Sequence, residues 1–133
     1  MLNLIIPQTI IPVGALSAFI AVAAGAFAAH GLKDLLSIEY INTFKTAADY
    51  QMIHSIGLIL IGILNKLNAD HRTTRRNSVA AVFMFFGIIL FSGSLYLLTL
   101  TGTRWLGMIT PLGGACFLIA WLMLAFNYWP RKE

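Results

Sequence analysis

The chain opens on a stretch with no ionisable side chain before His30 and no formal charge before Lys33. Within it, Ile10 to Ala29 supplies the roughly 20 helical residues that cross a bilayer core about 30 Å thick. Further apolar runs extend from Met52 to about Leu64, from Val79 to Leu100 and from Thr110 to Tyr128. The expected fold is all-α: an integral membrane four-helix bundle with spans near 10–30, 52–65, 79–101 and 110–128.

Composition excludes the alternatives. Hydrophobic residues make up 59% and charged residues 11%, and mean hydropathy is +0.81, outside the balance of a soluble domain. Spans and short connections nearly consume the 133 residues, so one membrane domain over 1–133 is expected, with no separate aqueous domain. The net charge of +4 comes from cations in short loops beside apolar runs. That is the pattern of topology determinants; no basic stripe for nucleic acid is present. Cys116 is alone, which rules out an intrachain disulfide, and its apolar run makes it a small core residue. Ala24, Ala26 and Ala28 offer signal-peptidase-like sites, yet no Lys or Arg precedes the run and it exceeds a typical h-region, so a retained helix is expected.

Local signals place the boundaries. The first helix is expected to start near Pro12 and to end at His30, with Gly31 as a left-handed cap. Ser17, Ala21 and Gly25, four apart, leave a shallow stripe for close helix approach. From Leu32 to Gln51, charges alternate with apolar residues, which predicts an amphipathic interfacial segment capped by Ser37, either separate from the second span or continuous with it. Asn65 to Asn77 is expected to be a cytoplasmic loop. Its Lys66, Arg72, Arg75 and Arg76 share a side with Arg131 and Lys132, against Lys33, Lys45 and Arg104 opposite. Six cations against three favour both termini in the cytoplasm. Gly102 should close the third helix. Thr110 should cap the fourth, with Pro111 in its first turn, leaving Leu106 to Ile109 as a short interfacial piece. The alternative is one continuous helix kinked at Pro111. Tyr128 and Trp129 suit the interfacial aromatic belt.

Four segments carry a family resemblance: GAFAAHGLK from Gly25, FKTAADYQMIHSIGL from Phe44, FSGSLYLLTLTG from Phe91 and ITPLGGACFLIAW from Ile109. In that order they resemble the YgdD/YwdK-like family of small membrane proteins, a domain of unknown function. The resemblance covers nearly the whole chain. It implies a four-helix, multi-pass protein of the bacterial cytoplasmic (inner) membrane, with relatives in animals and no activity to carry over.

The residues themselves suggest one polar cluster. His30 leaves the first helix and His54 enters the second on the same side; Tyr50 and His54 share a helical face, Gln51 lies beside them, and Asp49 can approach from the surface. The plainer roles are helix-end capping for His30 and interhelical hydrogen bonding for His54. Zinc needs three or four protein ligands, and no HExxH or paired-Cys motif supplies them, so no metal or other cofactor is expected. A second candidate is the Thr110 helix start, where free amides and Arg104 would hold an anion; its plainer reading is a capped helix whose Gly113 and Gly114 allow close packing. Ser92 and Ser94 have no neighbouring base, and read with Gly93 and Tyr96 as a packing notch. The resulting expectation is a non-enzymatic bundle that binds membrane lipids, a membrane protein partner or a second copy, with His30, Asp49, Tyr50, Gln51, His54, Arg104 and Thr110 as candidate site residues. The alternative is an oligomeric small-solute or proton transporter or channel subunit.

Overall fold

The computed structural model describes residues 2–130, with side chains from Gln8 to Pro130. Every regular element among them is helical: α1 (Leu2–His30), α2 (Ile38–Leu67), α3 (His71–Gly87), a π turn (Ile88–Gly93), α4 (Ser94–Thr101), a short 3-10 helix (Arg104–Met108) and α5 (Thr110–Asn127). Four continuous stretches are long and apolar enough to span a membrane: Gln8–His30, Ile38–Leu67, His71–Thr101 and Arg104–Asn127.

The exposed surface is what water would not tolerate. Phe19 is 71% exposed, Leu118 68% and Ile56 57%, each in mid-helix. Soluble monomers do not carry such continuous apolar surface; hydrocarbon is the solvent that matches it. Half of the α2 window is buried, against 17% for α1 and 22% for α5, so α2 is the central helix.

Small residues set the approach of α1 to α2. A Cβ on Gly14 would stand 2.9 Å from the Ser55 carbonyl oxygen, and one on Gly62 would run into Ile11. The start of α1 therefore lies beside the end of α2, and the two helices are antiparallel. Ala21 is buried in the same stripe, while a Cβ on Gly25 would meet nothing within 4 Å. The main core gathers Leu58, Ile61, Ala80, Met84, Phe117 and Ala120 from α2, α3 and α5; a smaller one joins Ala28 and Leu32 to Ile41 and Phe44.

Several boundaries differ from expectation. Helix α1 runs through both Pro7 and Pro12 from Leu2, since apolar surroundings make a helix the cheapest state for any backbone. Gly31 is not left-handed; the one positive φ among the described residues belongs to Gly102, at 70°. Instead, the Gly31 and Leu32 amides both donate to the Phe27 carbonyl. Ser37 does cap α2, accepting from the Tyr40 amide, and of the two expected arrangements the continuous one holds, since the amphipathic stretch has no break before the second span. It is the first half of α2, and its apolar side packs on the end of α1. The polar 65–77 stretch shrinks to a three-residue link, 68–70, because Asp70 accepts from the Arg72 and Thr73 amides and starts α3 early. Ile109, not Thr110, occupies the cap position of α5, with Pro111 in the first turn as expected.

Candidate functional site

Two polar seams and one groove are the chemically distinct places in this bundle. The first seam is centred on Gln51, which is 5% exposed. Its Nε2 donates to the Ser17 carbonyl at 3.1 Å and to the Ser17 hydroxyl at 3.3 Å, while its Oε1 accepts from the Tyr96 hydroxyl at 2.8 Å. Ser55 completes the seam, 2.7 Å from the Ser17 hydroxyl and 2.6 Å from the Gln51 carbonyl. Three transmembrane segments, α1, α2 and α4, are thereby joined through side chains whose polar atoms are satisfied internally.

His54 is 4% exposed and lies nearly one turn along α2 from Gln51, on an adjoining face. Its Nδ1 lies 2.7 Å from the Tyr50 carbonyl; a carbonyl only accepts, so Nδ1 carries a proton. The ring stacks on Phe117 with centroids 3.4 Å apart, and Tyr50 stacks on Phe91 at 4.5 Å. Tyr50, His54, Phe91 and Phe117 thus clamp α2 to the π turn and α5.

Of the predicted site residues, Gln51 and His54 are buried, Asp49 and Tyr50 flank them on the same helix with their side chains exposed, and His30 stands exposed at the end of α1. The partners of His54 are Tyr50, Phe117 and Trp121; His30 is not among them. Arg104 is exposed on the 3-10 helix. The Thr110 hydroxyl is 2.8 Å from that of Ser94 rather than on a backbone amide. Leu112 and Gly113 amides bond back to the Ile109 carbonyl, so the α5 start is continuous with the 3-10 helix and offers no open ring of amides. Gly113 instead receives the backbone of Phe91. Among the described residues no three of His, Cys, Asp and Glu stand together as a metal site. Cys116 is half-buried on α5.

The second seam was not legible in the sequence, where Asn68 and Asn77 read as loop and Asn127 as part of the fourth span. Tyr128 Oη accepts from Asn68 and Asn77 amides, both at 2.7 Å, and Asn127 donates to the Asn77 Oδ1 at 3.1 Å. This knot ties the end of α5 to the α2–α3 link, putting the ends of α2 and α5 and the starts of α1 and α3 on one side. Beside it, Asn65 donates to Ser78, and its buried Oδ1 has no partner. Between Ser55 and Asn65, about 15 Å along α2, Leu58, Ile61 and Met84 fill the axis, each at most 2% exposed.

The groove lies between α1, α2 and α3. It measures about 240 Å³ and is lined by Thr9, Ile10, Val13, Leu58, Ala81, Val82, Phe85 and Phe86. Seven of these eight side chains are apolar, so the space suits hydrocarbon rather than a charged solute.

Comparison with known proteins agrees with this architecture. Residues 24–114 match the family described as Protein of unknown function (DUF423). The chain belongs to that family. It is 48% identical over 118 residues to a UPF0382 membrane protein of Staphylococcus epidermidis, covering 88% of this chain and 92% of that one. The UPF0382 membrane protein YwdK of Bacillus subtilis is 42% identical over 118 residues, 88% of this chain and 93% of its own. One from Haemophilus influenzae is 39% identical over 122 residues, 90% and 92% of the two chains. No solved structure matches. These relatives are named as membrane proteins, in accord with the four apolar spans.

Proposed function

We propose that this DUF423 membrane protein is a non-enzymatic lipid-binding bundle of the bacterial cytoplasmic membrane, with both termini in the cytoplasm. The observation that supports this reading most is the groove between α1, α2 and α3, an apolar recess whose Val82, Phe85 and Phe86 are exposed. Orientation follows from charge: six cations and two acids flank the end that carries the α2–α3 link, against three of each at the other. Two of those six, Arg131 and Lys132, lie outside the described residues.

The transporter alternative is weaker. A polar path through one subunit would have to pass Leu58, Ile61 and Met84, and the polar groups of the Gln51 seam are already paired with one another, so this alternative needs a path between subunits. The Gln51 and His54 cluster therefore serves assembly in this reading, and the binding surface lies on the flank.

Native mass spectrometry of the protein released from nanodiscs tests the proposal. Retained phospholipid at a defined stoichiometry is the expected result, reduced when Val82→Trp fills the groove. An oligomer or hetero-complex that retains no lipid would replace lipid with a protein partner.

A further inference from the structure

We infer that the groove selects an anionic phospholipid, whose acyl chain lies between α1 and α3 and whose phosphate meets Arg75; this rests on the lipid-binding reading above. Arg75 and Val82 are seven residues apart on α3, two helical turns on one face and about 10 Å in rise. Phe86 continues the same line by one further turn. The helix thus presents an exposed guanidinium at its charged end, directly above the apolar recess that Val82 and Phe86 line.

Among the described residues, which exclude Glu133, no carboxylate pairs with it. Asp70 is the last acid before Glu133. Its carboxylate is committed to the Arg72 and Thr73 amides and the Thr73 hydroxyl, at 3.1, 3.0 and 2.6 Å. Arg72 and Arg76 flank Arg75 at spacings of three and one, so the start of α3 carries three guanidinium groups and no acid after its cap. A planar fork of donors suits a phosphate in two-point contact.

The apolar recess alone would not choose among lipids. A tail leaving the bilayer for the groove exchanges one hydrocarbon environment for another, so packing contributes shape but little discrimination. Selection therefore falls to the headgroup. A basic residue near the surface favours anionic over neutral lipid by about fivefold, and salt weakens that preference.

The test uses the full chain in nanodiscs of equal phosphatidylglycerol and phosphatidylcholine, with bound lipid read by native mass spectrometry. Retained lipid should be enriched about fivefold or more in phosphatidylglycerol, and Arg75→Gln should lower that enrichment about fivefold while leaving lipid occupancy in place. Lipid retained with no headgroup preference, or a preference that Arg75→Gln leaves intact, overturns this inference and leaves the general lipid-binding reading standing. No retained lipid of either kind overturns both. Because Arg75 is exposed and makes no contact within the bundle core, its replacement is not expected to disturb folding, and helical content measured on the same sample checks this.

Discussion

Gly113 and Gly114 are neighbours in sequence, and alanine at the two positions should move stability in opposite directions. A Cβ on Gly113 would be driven into the Phe91 backbone nitrogen and would stand 2.8 Å from both the Leu90 carbonyl carbon and the Phe91 Cα. Those are backbone atoms, so no rotamer change relieves the clash; α5 and the π turn must separate. Overpacking of this kind costs about 1–3 kcal/mol, and separation also loosens Phe117 on His54. At Gly114 the nearest atom is 3.9 Å away, at the Phe91 ring, which is ordinary contact. There the substitution should contribute the usual helix gain of about 0.5–1 kcal/mol. Because Gly113→Ala carries the same gain, its net loss should be at most about 2.5 kcal/mol, and the two variants should differ by the overpacking cost itself, about 1–3 kcal/mol, or about 5- to 140-fold in the unfolding constant. Steric trapping in bicelles measures this directly. Equal effects at the two positions, or stabilisation by Gly113→Ala, would refute the claim that α5 and the π turn meet backbone to backbone.

Further outcomes concern the polar groups. In a double-mutant cycle, Gln51→Leu and Tyr96→Phe should couple by about 0.6–1.7 kcal/mol, the range for interhelical hydrogen bonds in bilayers; additivity would mean that their bond contributes nothing. Ser92 is 1% exposed with no partner for its hydroxyl, so Ser92→Ala should leave the melting temperature unchanged or raise it. Ser94→Ala, which strands Thr110, should lower it by an amount equivalent to about 1 kcal/mol. Bonds from Thr73 and the Arg72 amide, with the Arg72 charge, hold the Asp70 carboxyl below its ordinary value. A depressed folded value means the contribution is fully present above about pH 4, the unfolded range, and is lost as pH falls through the folded one. Acid titration of unfolding should therefore show a destabilising limb below that pH, smaller in Asp70→Asn.

Much of the fold was legible because a bilayer leaves few choices. Uncharged length predicted four helices, and Ser37, Gly102 and Pro111 marked real starts and stops through local chemistry that needs no tertiary partner. The errors have a common cause. Pro12 and the polar 65–77 stretch read as interruptions under rules learned from water, yet α1 runs through Pro12 in apolar surroundings and α3 starts early on the Asp70 cap. The π turn had no sequence signal: no proline or charge marks residues 88–93, and its position answers to the Gly113 notch on another helix.

The candidate site divides in the same way. Spacing alone put Tyr50 and His54 on one face and Gln51 beside them, but it does not state which face meets a neighbour. Packing turned Gln51 toward Ser17 and Tyr96 and His54 toward Phe117, leaving His30 and Arg104 outside both groups. By itself, the sequence determined membrane residence, span number and the charged end, since these depend on composition summed along a helix against the surrounding solvent. Only tertiary structure decided which polar groups are consumed in assembly and where a groove remains, since these depend on how far apart two helices stand at a given depth, and that distance is set jointly by side chains remote from each other in the chain.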